Sequence, residues 1–146
     1  MNIRITNKVV LSVLLLFMSI ATCGHASITS KHVFTKEQRI ESEVRKNVSS
    51  EHVEVVLAII DTESKGDTLA VSNTGDYGIM QVNKATWRNK YDFSKMNELE
   101  YGIYAGCDVF NQCVDAANGN MTYALRLYNG SYEYANKVMR KVNAGL

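Results

Sequence analysis

Helix start signals follow one another along this chain, and no proline interrupts them. In the first signal, a capping-box pattern, Thr35 and Gln38 are spaced so that each side chain can bind the other's backbone. Further signals, each a small polar residue ahead of a periodic segment, lie at Ser49 or Ser50, Asn83, Ser94 or Asn97, Asn120 and Ser131. They predict helices over about 36–47, 50–64, 84–90, 94 or 97 to 111, 121–128 and 132–142.

The segment 67–82 differs from its neighbours because it lacks helical periodicity. It carries the turn signals Asn73, Gly75 and Gly78, so we expect short extended pieces or a loop there. With 146 residues, the chain is long enough for one domain with a substantial core. The predicted fold class is mainly α: a single compact helical domain with a small irregular or β element near residues 68–82.

The N-terminus has the pattern of a secretory signal. Arg4 and Lys8 precede an apolar run over 9–21, and a small-x-small cleavage pattern follows over 24–26. The run is short for a membrane span. We therefore predict a signal peptide over 1–26, a domain over 27–146 and a periplasmic or secreted location. A lipoprotein site at Cys23 is the less favoured alternative, because Thr22 fits poorly before a lipidated cysteine.

Charge argues against a nucleic-acid or anionic-membrane partner. Without the predicted signal, 14 of the 16 basic residues remain against 15 acidic ones, so the domain is near neutral. The histidines lack metal-ligand spacing, and no metal or other cofactor is expected. We expect a monomer.

One carboxylate lies on the apolar face of the second predicted helix. Val56 and Ile60 belong to its buried stripe, and Glu63 continues that stripe at helical spacing. Burial raises the pKa of a carboxyl, which suits a general acid near neutral pH. The alternative is that Glu63 lies in a frayed last turn and reaches water.

Two cysteines remain after the predicted signal, and an even pair in an oxidising compartment favours a disulfide. Cys107 and Cys113 would be ~9 Å apart along one unbroken helix, which is too far for a bridge. The predicted disulfide therefore requires the helix to end or bend before Cys113. The alternative is two buried thiols.

Four motifs in order resemble the soluble lytic transglycosylases, which are related in fold to goose-type lysozyme. They are Glu63-Ser64, "AVSNTGDYGIMQ" over 70–81, "GIYAGCDVF" over 102–110 and "LYNGS" over 127–131. The third motif departs from the family pattern, since Gly102 stands where asparagine is usual. The resemblance spans about residues 50–142 and implies a lysozyme-like α+β domain that acts on peptidoglycan glycan strands.

The resemblance implies one catalytic acid/base, Glu63, which cleaves the bond between N-acetylmuramic acid and N-acetylglucosamine and leaves a 1,6-anhydro ring. It assigns the saccharide groove to Ser64, Ser72, Gly78, Met80, Gln81, Tyr128 and Asn129. Core packing is the alternative role for Met80. The compact size and the "YNGS" ending are most similar to small members that work with secretion or conjugation systems, whose apparatus proteins would be partners.

Two other functions stay open. "GDYGIMQVN" also resembles animal-type lysozymes, in which an aspartate at the position of Asp76 is the second catalytic carboxylate. A hydrolase would then use Glu63 and Asp76 together. Otherwise Asp76 only stabilises its Gly-Asp-Tyr-Gly turn. The third hypothesis is a non-catalytic glycan-binding scaffold subunit.

Overall fold

The computed structural model describes residues 33–145, and this part of the chain is mainly helical. Its elements are α1 (Lys36–Asn47), α2 (Val53–Glu63), β1 (Asp76–Tyr77), β2 (Val82–Asn83), α3 (Lys84–Trp87), α4 (Leu99–Ala116), α5 (Met121–Asn129) and α6 (Tyr132–Ala144), with short 3₁₀ turns at Ser50–His52 and Phe93–Lys95. The two strands pair antiparallel. The predicted fold class, with a small β element near 68–82, is confirmed. The predicted signal peptide and Cys23 lie outside the described residues.

Local capping explains most helix starts. Thr35 Oγ1 accepts a hydrogen bond from the Gln38 amide, and Gln38 Oε1 accepts one from the Thr35 amide, which completes the capping box of α1. Asn83, Asn120 and Ser131 accept backbone hydrogen bonds at the starts of α3, α5 and α6. At the second helix, Ser49 bonds the ring of His52 instead, and the α-helix begins only at Val53 after a 3₁₀ turn.

Helix α4 departs from the prediction at both ends. It begins at Leu99 and runs to Ala116 instead of ending near residue 111. Asn111 contributes to this extension, because its side-chain amide donates to the Asn47 carbonyl at the end of α1. The helix ends where Asn118 and Gly119 take positive φ angles of 49° and 79°.

The predicted disulfide is wrong. Cys107 and Cys113 are both free thiols. They lie on the unbroken part of α4, where six residues rise ~9 Å, beyond the reach of a disulfide. The bridge depended on an early end to this helix, which instead continues to Ala116.

The core lies around α4. Its buried residues Ile103, Cys107 and Phe110 follow helical spacing and join one apolar cluster with α2, α5 and α6. Gly106 lies on the adjoining face, where the loop between the strands approaches closely. A Cβ added at Gly106 would lie 2.4 Å from both Cβ and Sδ of Met80. This approach holds the β-hairpin against α4 and so fixes one wall of a cleft.

Candidate active site

A cleft of about 460 Å³ runs between the β-hairpin and helix α5. Polar side chains from the hairpin and α3 form one wall, Val109 and Cys113 of α4 contribute apolar surface, and α5 forms the other wall with Glu63 at the end of α2. The lining residues are Glu63, Thr74, Asp76, Gln81, Val82, Asn83, Thr86, Trp87, Val109, Cys113, Leu127, Tyr128 and Asn129. Five residues predicted for the site therefore lie in one cleft: Glu63, Asp76, Gln81, Tyr128 and Asn129.

Glu63 is the last residue of α2, and its half-buried side chain lines the cleft. Burial raises the pKa of its carboxyl, because a desolvated group resists ionisation. Tyr134 opposes this shift, the charge of Asp76 adds to it, and Lys137 and Asn129 oppose it more weakly. The net effect is a raised pKa, so this carboxyl holds its proton to a higher pH than an exposed glutamic acid does.

Two stacked tyrosines support this carboxyl. The rings of Tyr128 and Tyr134 are 6.5 Å apart at 17°. The Tyr128 hydroxyl donates to the Met80 carbonyl at 2.7 Å, which ties α5 to the loop of the hairpin. The Tyr134 hydroxyl is buried and has no partner within normal hydrogen-bond geometry. It nevertheless lies near enough to the Glu63 carboxyl to lower the pKa of that group.

Asp76 accepts three side-chain hydrogen bonds, two from the loop before β1 and one from the opposite strand β2. Its Oδ2 accepts from the hydroxyls of Ser72 and Thr74, each at 2.5 Å, and its Oδ1 accepts from Asn83 Nδ2 at 2.7 Å. Partial burial disfavours the ionised form, but these bonds outweigh it and lower the pKa of Asp76. The cleft therefore contains one carboxyl with a raised pKa and one with a lowered pKa.

Three of the residues predicted for the groove form its frame. Ser64 donates to the Ile79 carbonyl at 2.7 Å and accepts from the Gly66 amide at 3.1 Å. Ser72 holds Asp76, and its oxygen also accepts the Asp76 amide at 3.0 Å. Gly78 has a φ of 76°, and a Cβ there would lie 2.3 Å from the Met96 carbonyl oxygen. None of the three is among the residues that line the cleft.

Met80 and Gln81 have different positions although they are adjacent. The Met80 side chain is fully buried and lies behind the cleft, with its sulfur 4.0 Å from Cys107 Sγ, so core packing is its role in this structure. Gln81 lines the cleft in a left-handed conformation with φ of 49°. Its Nε2 donates to the carbonyls of Ala70 and Gly78. This leaves its Oε1 as the side-chain acceptor for a ligand.

Several residues that line the cleft were not predicted as site residues. Trp87, the only tryptophan, lines the cleft from α3, and Tyr91 packs against it with ring centroids 5.8 Å apart. The Tyr91 hydroxyl donates to Asp108 on α4 at 2.6 Å. An isolated tryptophan near the end of a short polar helix was the available signal. The other unpredicted lining residues are Thr74, Val82, Asn83, Thr86, Val109, Cys113 and Leu127.

Within residues 33–145, no group of three or more His, Cys, Asp or Glu side chains is arranged to hold a metal ion. None of the helices in this range is long and apolar enough to cross a membrane.

The family comparison covers the whole of this cleft. No curated protein and no solved structure matches the chain significantly. Residues 39–145 match the profile of the family described as Transglycosylase SLT domain. The match begins within α1 and ends at the last residue that the structure describes. Because it covers well over half of the chain, the protein belongs to the transglycosylase SLT domain family.

Proposed function

We propose that this protein is a peptidoglycan lytic transglycosylase in which Glu63 is the single catalytic acid/base. The observation that carries the proposal is the difference between the two cleft carboxyls: burial raises the pKa of Glu63, while hydrogen bonds lower that of Asp76. A carboxyl with a raised pKa keeps its proton to a higher pH, which suits it to protonate a leaving group. Membership of the transglycosylase SLT domain family supports the substrate class.

In the first step, protonated Glu63 acts as the acid. It donates its proton to the glycosidic oxygen between N-acetylmuramic acid and N-acetylglucosamine, and the bond from C1 to that oxygen breaks. The N-acetylglucosamine side leaves with a hydroxyl group, and positive charge develops on the muramoyl ring. The ionised Asp76 in the same cleft favours that charge electrostatically.

In the second step, the Glu63 carboxylate acts as the base. It removes the proton from the muramoyl C6 hydroxyl while that oxygen bonds to C1, which closes the 1,6-anhydro ring. Glu63 thereby regains the proton it gave away, and no water is consumed. The substrate supplies the nucleophile, so this reaction needs only one proton-transferring carboxyl.

Asp76 favours a second candidate, a lysozyme-type hydrolysis. It lines the same cleft and stays ionised, as a nucleophile or charge-stabilising group must. Against this role, both of its oxygens already accept hydrogen bonds from neighbouring side chains. We therefore assign Asp76 to the turn and to electrostatic support, with hydrolysis as the alternative.

The mass of the products distinguishes these reactions. The domain is incubated with purified peptidoglycan, and the released muropeptides are weighed. Anhydro ends, lighter by one water than reducing ends, are expected. Reducing ends would replace the transglycosylase with a hydrolase. Asp76→Asn should still give anhydro products, whereas loss of all activity in this variant would favour the hydrolytic role.

Glu63→Gln tests the acid/base directly. Loss of the proton donor should lower the rate by about 10²–10⁴-fold, the range of general acid–base catalysis. Binding to sacculi should persist, because the amide keeps the size of the carboxyl. Full lytic activity in this variant would contradict the assignment. No product from the wild type, with equal binding by both proteins, would favour a glycan-binding scaffold.

We also propose a periplasmic or extracellular location, a monomeric state and work beside a secretion or conjugation apparatus. The substrate class and the N-terminal pattern over 1–26 support the location. The resemblance to small apparatus-associated members supports the partner. Fractionation of cells with and without residues 1–26, light scattering of the purified domain and crosslinking to apparatus proteins test the three statements. A cytoplasmic product would contradict the location, a stable dimer the monomeric state, and the absence of crosslinks the partner.

A further inference from the structure

An arginine beside the cleft is held between two tyrosine rings. The guanidinium carbon of Arg126 on α5 lies 5.7 Å from the ring centroid of Tyr123 and 5.2 Å from that of Tyr132. Both tyrosines are exposed, with 38% and 53% of their surface accessible. These three residues are termed the tyrosine clamp. Cation–π contacts with the two rings restrict the side chain before any ligand binds.

No carboxylate of the described residues pairs with Arg126. Two other arginines of the described chain do form such pairs, Arg45 with Glu41 and Arg39 with Glu100. The guanidinium carbon lies over both aromatic rings, and the N–H donors of a guanidinium lie in the plane of the group. The tyrosine clamp therefore presents a fixed fork of donors that matches the two oxygens of a carboxylate.

The tyrosine clamp adjoins the cleft. Leu127, the next residue after Arg126, lines the cleft and is itself 37% exposed. Tyr123 is four residues before Leu127, so the two side chains lie on the same face of α5. The clamp therefore extends the α5 wall outward from the part of the cleft that contains Tyr128 and Asn129.

We propose that Arg126 binds a carboxylate of the stem peptide attached to the muramoyl sugar in the cleft. This inference rests on the proposed function, since it concerns the same substrate. The two sugars of the glycan backbone carry no negative charge, whereas the stem peptide carries several carboxylates. It branches from the lactyl ether of the muramoyl unit, so it projects sideways from the glycan axis toward a rim. A preorganised guanidinium at that rim selects strands that still carry peptides.

The test compares two substrates that differ only in the stem. One is intact peptidoglycan, made soluble by brief sonication. The other is the same material after an amidase has removed the peptides and the lactyl carboxyl groups freed by this cleavage have been converted to amides with a carbodiimide and ammonia. Arg126→Gln should lower kcat/KM on the intact strands by about tenfold, mainly through KM, as expected for the loss of charge-assisted hydrogen bonds. Its kcat/KM on stripped strands should equal that of the wild type.

Three variants refine the result. Arg126→Lys keeps the charge but loses the fork, so we expect an intermediate loss on intact strands. Tyr132→Leu removes one ring of the tyrosine clamp and should cost about threefold on intact strands, in line with one cation–π contact. Arg140→Gln is the matched control, because Arg140 is an exposed arginine on α6 without an ion pair among residues 33–145, and it should change neither rate.

Equal loss on both substrates, or loss on neither, would overturn the stem-peptide assignment. Melting temperatures identify any variant that fails to fold, and Arg126→Lys then carries the comparison. If the wild type cleaves neither substrate, the proposed function fails. The role of Arg126 is then tested by measuring how tightly the protein binds the two substrates. In that case Glu63→Gln and Glu63→Gln/Arg126→Gln are compared by sedimentation with intact and stripped strands. Weaker binding of the double variant to intact strands alone would support the tyrosine clamp, and equal binding would refute it.

Discussion

Glu63 experiences opposing influences from a small set of neighbours. Burial and the charge of Asp76 raise its pKa, while the Tyr134 hydroxyl, Lys137 and Asn129 lower it. The raised pKa serves the first step, which needs the proton on Glu63. The neighbours that favour the ionised form serve the second step, which needs the carboxylate. The balance between them sets the pH at which both steps can proceed.

A pH profile measures this balance. Because the first step requires protonated Glu63, kcat/KM should fall as the pH rises through its raised pKa. Tyr134→Phe removes a group that lowers this pKa, so the descending limb should move to higher pH. The control is Tyr104→Phe, an exposed tyrosine on α4, which should leave the limb in place. If the descending limb of Tyr134→Phe were unchanged or moved to lower pH, the influence of the Tyr134 hydroxyl on Glu63 would be contradicted.

Glu63 should also make stability depend on pH. Its pKa is higher in the folded chain than in the unfolded chain, so the folded state binds this proton more tightly. The resulting stabilisation is complete below the unfolded pKa and is lost as the pH rises through the folded pKa. Glu63→Gln does not titrate at this position. The melting temperature of the variant relative to the wild type should therefore increase between pH 4 and pH 8, and a constant difference would refute the linkage.

At the scale of elements, the hairpin and α4 meet where Gly106 leaves room for Met80. Gly106→Ala gains about 1 kcal/mol of helix propensity, but the clash costs about 1–3 kcal/mol because Cβ of Met80 is less mobile than a side-chain end. We expect a net destabilisation of about 1 kcal/mol in urea unfolding. A Met80→Gly background removes Cβ, Cγ and Sδ of Met80, the three atoms nearest to the new methyl group, so Gly106→Ala should there be neutral or stabilising. Equal costs in both backgrounds would exclude the clash.

The sequence predicted helix starts well where a cap depends on nearby residues. Thr35, Asn83, Asn120 and Ser131 each accept a hydrogen bond within the first turn of their own helix. The prediction failed where contacts between residues distant in the sequence determine where a helix ends. Helix α4 continues past residue 111, where Asn111 meets the end of α1, 64 residues earlier in the chain. The false disulfide followed from this single error.

The residues of the candidate site also fall into those that the sequence could predict and those that it could not. Motif residues with unusual chemistry, such as Glu63, Asp76 and Gln81, were predictable and lie in the cleft. The sequence did not reveal which motif residues hold the cleft walls in place and which face the cleft. That depends on the side of the hairpin on which each side chain lies. Trp87 and Arg126 belong to no motif, and only the packing of α3 and α5 brings them to the cleft and its rim.

At the scale of the whole molecule, folding should not depend on redox conditions. Burial raises the pKa of both thiols, that of Cys107 to about 12, and only Cys113 lines the cleft. The melting temperature of the chain from residue 27 should be the same with and without reductant. A maleimide at mildly alkaline pH should label Cys113 before Cys107 and block the cleft, and Cys113→Ser should prevent that block. A reductant-dependent melting temperature would restore the disulfide.

The wall formed by Glu63 and α5 is attached to the hairpin wall through one dipeptide. Ser64, next to Glu63, donates to the carbonyl of Ile79, and Tyr128, next to Asn129, donates to that of Met80. A ligand that pushes the two walls apart must therefore disturb this pair of carbonyls. For inhibitor design, this makes the cleft a slot of nearly fixed width. Slender compounds that follow the glycan axis should bind better than bulky ones that need the slot to widen.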